Sequence, residues 1–211
     1  MNFSLSTFFL IIISVFSRLI GYFRDIVLAV FLGTGIYGDI YALCCRIPFY
    51  FRNIIFEGTF NAAFVPTYNS IQNENDKIVF FIQLLKIFLI FFAPLIILIE
   101  IFMPSVVSFI APGFINLPDF DLAVLISRIT FPYLIFVILI AFLIALLNSN
   151  FYFAAAACVH ILLNLIIIIF LFLSIASKYL AITYIAWGII FSGLAQVIFL
   201  YLNIKKKFRN I

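Results

Sequence analysis

Read along its length, the chain alternates long apolar runs with short polar breaks. Runs of about twenty apolar residues, the length that crosses a bilayer, recur over residues 8–32, 39–65, 79–109, 122–147, 154–176 and 181–204. The breaks GTGIYG, PTYNSIQNENDK, APGFINLPD, NSNFYF and SKYL gather Gly, Pro, Asn and Ser, the residues of turns and loops. The pattern predicts an all-α fold: a polytopic transmembrane bundle of about six spans, forming a single domain over residues 1–211. A β-barrel would need short alternating strands, and a run such as LLNLIIIIFLFLSIA shows no alternation. Pro94 and Pro104 are expected to kink or end the third and longest run.

Composition strengthens this reading. Hydrophobic residues make up 67% of the 211 and charged residues 9%, so there are too few charges to coat a water-facing surface. The abundance of Phe, Ile, Asn and Tyr resembles the bias of an AT-rich genome, so the phenylalanines by themselves carry little functional information. No Lys or Arg precedes the first run and no small-residue cleavage site follows it. That run is therefore expected to be a retained span and not a cleaved signal peptide.

The densest basic cluster is KKKFR, from Lys205 to Arg209. Under the positive-inside rule it sets the cytoplasmic side. An even number of spans then puts both termini in the cytoplasm, with Lys77 on the same side and Asp119 and Asp121 outside; Lys178 is a mild exception. The basic tail reads as an anchor on anionic headgroups of membrane lipids, with no nucleic-acid partner.

Other features are readily set aside. GTGIYG fits the dinucleotide fingerprint by letter but follows a lipid-length helical run, so it reads as a tight turn between two spans. Cys44, Cys45 and Cys158 lack metal or redox spacing and read as buried thiols. His160 has no Cys, Asp or Glu near it in sequence and reads as a packing or hydrogen-bonding residue. Lys86 is placed to snorkel to an interface, while Glu100 and Arg128 are placed to pair between helices. Paired acids, HExxH and Ser/His sets at catalytic spacing are missing, so the chain reads as no enzyme, with no catalytic residue, metal or cofactor.

The charges of the first two runs are harder to dismiss, because a single charge at a span centre costs ~2.5–3.5 kcal/mol. On a helical wheel Arg18 and Asp25 lie about 20° apart, and Ser14, Ser17, Gly21 and Arg24 share their side of the helix. In the second run Asp39, Arg46, Asn53 and Glu57 fall within about 40°, Asn61 lies a further 40° or so away, and Arg52 projects about 100° off the strip. Pro48 and Gly58 punctuate that run, as in the broken helices of transporter sites. Two such stripes, set face to face, would enclose a polar cavity. Salt bridges that only hold the helices together, such as Arg24–Asp25 or Arg46–Glu57, are the competing reading. Arginine in place of lysine favours an anion with several oxygens, a carboxylate or a phosphate, through its forked donors.

These residues also carry a resemblance. SRLIGYFRD, then GTGIYGDIYALCCRIPFYFRNIIFEGTFNAAFVPTY, then APGF, RITFPYLI (Arg128 to Ile135) and WGIIFSGLAQVIFLY resemble, in order, the N-terminal part of the MurJ (MviN) family. These are lipid II flippases of the multidrug/oligosaccharidyl-lipid/polysaccharide exporter superfamily. The resemblance implies a multi-pass protein of the bacterial inner membrane. Such a protein moves undecaprenyl-pyrophosphate-linked peptidoglycan precursor to the periplasmic face by alternating access between two lobes. It matches Arg18, Arg24 and Arg52 to the family's cavity arginines and Asp39 to its cavity aspartate. Glu57, Gly58, Thr59 and Phe60 match its EGAF-type segment, and Arg46 stands where the family often has lysine.

The departure is length. The family has about fourteen spans in two lobes and an added helix pair, against six runs here. The second lobe's arginine, its sodium site and the lipid-tail groove are not in this chain. A truncated product, one half of a split gene, and a lobe that pairs with a second polypeptide or with itself all fit. So do a non-transporting membrane or assembly protein and an exporter of another polyprenyl-linked substrate.

Overall fold

A computed structural model describes the backbone of residues 3–56, 59–174 and 178–208; among these, the side chains at 3–7, 9, 46, 47, 51, 54–56, 178, 207 and 208 are not described. Nine α-helices run in order through the described residues: α1 (Phe3–Leu32), α2 (Ile36–Phe56), α3 (Thr59–Ser70), α4 (Glu74–Ile101), α5 (Met103–Ile110), α6 (Phe120–Thr130), α7 (Tyr133–Ser149), α8 (Phe153–Leu173) and α9 (Lys178–Phe208). A 3-10 turn at Pro112–Phe114 follows α5, and no strand occurs among the described residues. The fold is all-α, and each of the six apolar runs falls on one helix or on two consecutive ones.

Among the described residues, four segments are long and apolar enough to cross a membrane by length and composition: Glu74–Ile101, Phe120–Ser149, Phe153–Leu173 and Tyr179–Lys206. Helices α1 and α2 have comparable length, but Arg18, Arg24 and Asp25 interrupt the first and Asp39, Arg46 and Arg52 the second.

The breaks between helices follow local chemistry. Gly33 closes α1 in the left-handed region, at φ 69°, with its N–H bonded back to the Ala29 carbonyl at 3.0 Å. A Cβ on Gly38 would lie 2.7 Å from the Gly33 carbonyl oxygen, so the GTGIYG corner needs glycine at both places. Asn73 caps α4 by accepting from the Asn75 N–H at 3.0 Å, with Glu74 and Asp76 in the first turn complementing the helix dipole. Helix α4 runs on through Pro94, whereas Pro104 sits at the start of the separate α5. Pro132 likewise stands between α6 and α7, where it cannot donate to the helix ladder.

Helix α7 lies at the centre. Val137, Ile140, Ala141, Phe142, Ala145 and Leu147 are all buried, and the helix packs against α9, α3, α2, α4 and α8. Helix α8 packs mainly on α9 and α1, and α2 on α6 and α7. Close approach of α9 uses glycine: a Cβ on Gly188 would meet Phe170 of α8 at 3.0 Å, and one on Gly193 would meet Phe136 of α7 at 2.9 Å. Helix α4 is peripheral, with Ile96 buried while Ile87, Ile90, Phe91, Ile97 and Leu98 face outward. Such an apolar exterior suits lipid as the surrounding solvent.

Candidate functional site

The polar face of α1 opens onto a cavity of about 530 Å³. From α1 it is lined by Ser14, Ser17, Arg18, Gly21 and Arg24, from α2 by Arg52, and from α8 by Ala156, Ala157, His160, Leu163 and Asn164; Ile144 of α7 closes one side. Three arginines from two helices therefore share one chamber. Small residues at Gly21, Ala156 and Ala157 leave room between them.

Arg24 is the best held of the three. Its Nη1 donates to Asn164 Oδ1 at 2.8 Å, while Nε and Nη2 both donate to Asp25 Oδ1, at 3.0 and 2.7 Å. The Arg24 side chain is 17% exposed and that of Asp25 62%, so the carboxylate sits at the open edge while the guanidinium lies within. The Arg52 guanidinium carbon stands 5.4 Å from the ring centroid of Phe49, and its Nε is buried without a hydrogen-bond partner. Its charge bears on both His160 and Tyr133, and the buried Tyr133 hydroxyl has no partner at bonding geometry.

The charge balance follows. Among the described residues, the ion pairs are Arg24–Asp25 and Lys77–Glu74. Arg18 and Arg52 thus face the cavity with no acid bound to them among the described residues. A guanidinium kept from water without a counter-charge is costly, and an anion with several oxygens offsets that cost through charge-assisted forked bonds.

A smaller pocket of about 320 Å³ lies on the other side of Arg24, where Asp25, Tyr41, Cys45, Phe49, Tyr50 and Asn53 line it. Asp25 and Asn53 therefore sit beside the main cavity, one arginine away. Asp39 lines neither pocket; it stands exposed in the first turn of α2, where its charge complements the helix dipole. The side chain of Arg46 and the whole of Glu57 and Gly58 lie outside the described residues.

Of the α2 strip, Asn53 shares the smaller pocket with Arg24 and Asp25 of α1, whereas Asp39 lines neither pocket. Helix α1 packs chiefly on α8, with little contact to α2. Among the described residues, the α2 side chain that lines the chamber is Arg52, which the wheel also places off the strip. Pro48 lies inside α2 between Asp39 and Arg52, and its missing donor breaks the regular ladder.

Two residues of the chamber, His160 and Asn164, were not selected by the sequence reading. A signal for them exists: in α8 (FAAAACVHILLNLIIIIFLFL) they are four residues apart, hence on one face, in a helix otherwise made almost entirely of apolar residues. Cys44 and Cys45 are buried free thiols and Cys158 is a half-buried one; Cys44 Sγ lies 3.2 Å from Ser127 Oγ. Arg128 bears electrostatically on Glu100, yet no ion pair joins them and Glu100 Oε1 is buried without a hydrogen-bond partner. Lys86 is exposed on α4.

Together these features define a polytopic helical membrane protein with a cationic chamber between its first, second and eighth helices, the arrangement of a transporter lobe. The model of the family "Lipid II flippase MurJ" matches residues 28–210, and the chain belongs to that family. It is 35% identical over 199 residues to a probable lipid II flippase MurJ of Rhizobium tropici, covering 90% of this chain and 37% of that protein. The corresponding protein of Rickettsia prowazekii (strain Madrid E) is 35% identical over 200 residues, with 90% and 38% covered. A solved structure, "Lipid II flippase MurJ, inward closed conformation", superposes with a TM-score of 0.78 at 28% identity, covering 93% of this chain and 41% of that one. The chain thus spans about two fifths of the length of the relatives it matches.

Proposed function

We propose that the chain is the N-terminal lobe of a lipid II flippase. In this reading it carries undecaprenyl-pyrophosphate-linked peptidoglycan precursor from the cytoplasmic to the periplasmic face of the bacterial inner membrane, for cell wall synthesis. The observation that carries this reading is the convergence of Arg18, Arg24 and Arg52 on one chamber that no described acid lines, with Asp25 beside it bonded to Arg24. A pyrophosphate supplies the missing negative charge, and its oxygens match the guanidinium forks.

Substrate binding falls to Arg18, Arg24 and Arg52. Asp25 and Asn53 flank them from the smaller pocket, and Asp39, Arg46 and Glu57 take the cavity roles to which the sequence resemblance matches them. Transport needs a second lobe, whether from further chain or from another polypeptide, against which this one rocks to expose the chamber first to one side and then to the other. Residues 1–211 form one transmembrane domain in this reading, with both termini cytoplasmic.

The test is growth of a flippase-depleted strain that expresses the chain together with a second lobe. Rescue by the wild-type chain, lost in Arg18→Ala, Arg24→Ala or Arg52→Ala at unchanged protein level, is the expected result. Normal rescue by all three variants would overturn the substrate-binding role.

A further inference from the structure

Asn164 is a buried amide, 6% exposed, in the middle of an apolar helix. Burying an amide without a partner is costly, and Asn164 finds its partner across the chamber wall: its Oδ1 accepts from Arg24 Nη1 at 2.8 Å. Helix α1 leaves room for that amide one turn earlier. At Gly21, three residues before Arg24, an added Cβ would lie 3.2 Å from Asn164 Nδ2, so a side chain there would push the amide away.

The donor count on Arg24 gives this contact a purpose. A guanidinium carries five N–H groups. Asp25 takes one from Nε and one from Nη2, and Asn164 takes one from Nη1. One N–H then remains on each terminal nitrogen, and the plane of the group is fixed from two sides. Asn164 achieves this without adding charge. A second carboxylate in its place would cancel the positive charge that Arg24 brings to the chamber, whereas a neutral amide orients it and leaves the field intact.

We propose that Asn164 is a positioning residue of the anion site: it aims the guanidinium of Arg24, from a seat that Gly21 keeps open, so that the two free N–H groups are presented to a phosphate. The inference rests on the reading of the chamber as a pyrophosphate site and adds a residue to it. Neutrality and reach, in that order, decide which side chains can do the job. Leucine has neither acceptor nor donor, and aspartate keeps the acceptor but brings the wrong charge.

The experiment measures binding of undecaprenyl pyrophosphate to the full chain in lipid nanodiscs. Asn164→Leu is expected to weaken binding about 10-fold through loss of an ordered charge-assisted contact. Asn164→Asp, which keeps size and acceptor, is expected to weaken it at least as much, and Gly21→Ala by roughly threefold as the amide is displaced. In an Arg24→Ala background, Asn164→Leu is expected to cause no further loss, because its effect passes through Arg24. This coupling is the readout that a purely packing role would not produce. Wild-type affinity in Asn164→Asp, or an equal loss from Asn164→Leu with and without Arg24, would overturn the proposal while the pyrophosphate reading stood. Failure of the wild-type chain to bind the probe would remove that reading itself.

Discussion

Arg24 and Asp25 are neighbours in sequence and bonded partners in space: two nitrogens of the guanidinium share one carboxylate oxygen, at 3.0 and 2.7 Å. A side-by-side pair of this kind uses the acid to orient one arginine, and leaves Arg18 and Arg52 without such an acid among the described residues. The pair predicts that Asp25→Asn, which keeps an acceptor but removes a negative charge at the chamber's edge, tightens binding of a polyprenyl pyrophosphate, with the gain shrinking as salt is raised. Titration in nanodiscs at two ionic strengths checks this. Weaker binding would mean that orientation by Asp25 outweighs its charge.

Lysine is not a substitute for the chamber's arginines. Arg52→Lys keeps the charge but loses the planar fork and the stacking against Phe49, whose ring centroid lies 5.4 Å from the guanidinium carbon. It is expected to give partial rescue in the growth assay, between wild type and Arg52→Ala. Full rescue by lysine would show that charge alone suffices at this place.

The corner between α1 and α2 sets where the chamber's arginines stand relative to one another. Gly38→Ala would set a Cβ against the Gly33 carbonyl oxygen, 2.7 Å away, and Gly33→Ala would force a left-handed φ of 69° on a residue with a Cβ. Each is expected to destabilise the fold, the second by about 1 kcal/mol and the first by more, since the atom it meets is backbone. Thermal unfolding in detergent measures the difference. An unchanged Tm in both would show that the corner is free to rearrange.

Orientation is tested separately. Alkaline phosphatase fused after Asn116 is expected to be active, and fused after Lys77 inactive, while a fluorescent protein fused after Ile211 is expected to fold in the cytoplasm. The opposite set of signals would invert the topology drawn from the KKKFR cluster.

How much of this was legible in the sequence depended on which physical signal each feature left. Helix content was written in run length and in the turn residues between runs, because a bilayer demands both. The charged face of α1 was legible too: Ser14, Ser17, Arg18, Gly21 and Arg24 lie on an unbroken helix, where a constant angular step holds. On α2 the wheel separates Arg52 from Asn53, and the two line different pockets, but a wheel says which residues share a face and not which helix that face meets. The face of α1 meets α8, through Arg24 and Asn164. A lone histidine and a lone asparagine in an apolar run look like incidental packing until their four-residue spacing is set beside a cationic helix.

The most direct measurement is equilibrium binding of undecaprenyl pyrophosphate to the chain in nanodiscs, comparing wild type with the double variant Arg18→Ala/Arg52→Ala. Those two residues bring the charge that has no described acid partner, so their joint removal is expected to weaken binding on the order of 100-fold, at about 1.4 kcal/mol for each tenfold step. It is also expected to flatten the dependence on salt. Equal affinity in the two proteins would contradict the account, since the chamber would then hold its arginines for some purpose other than a pyrophosphate.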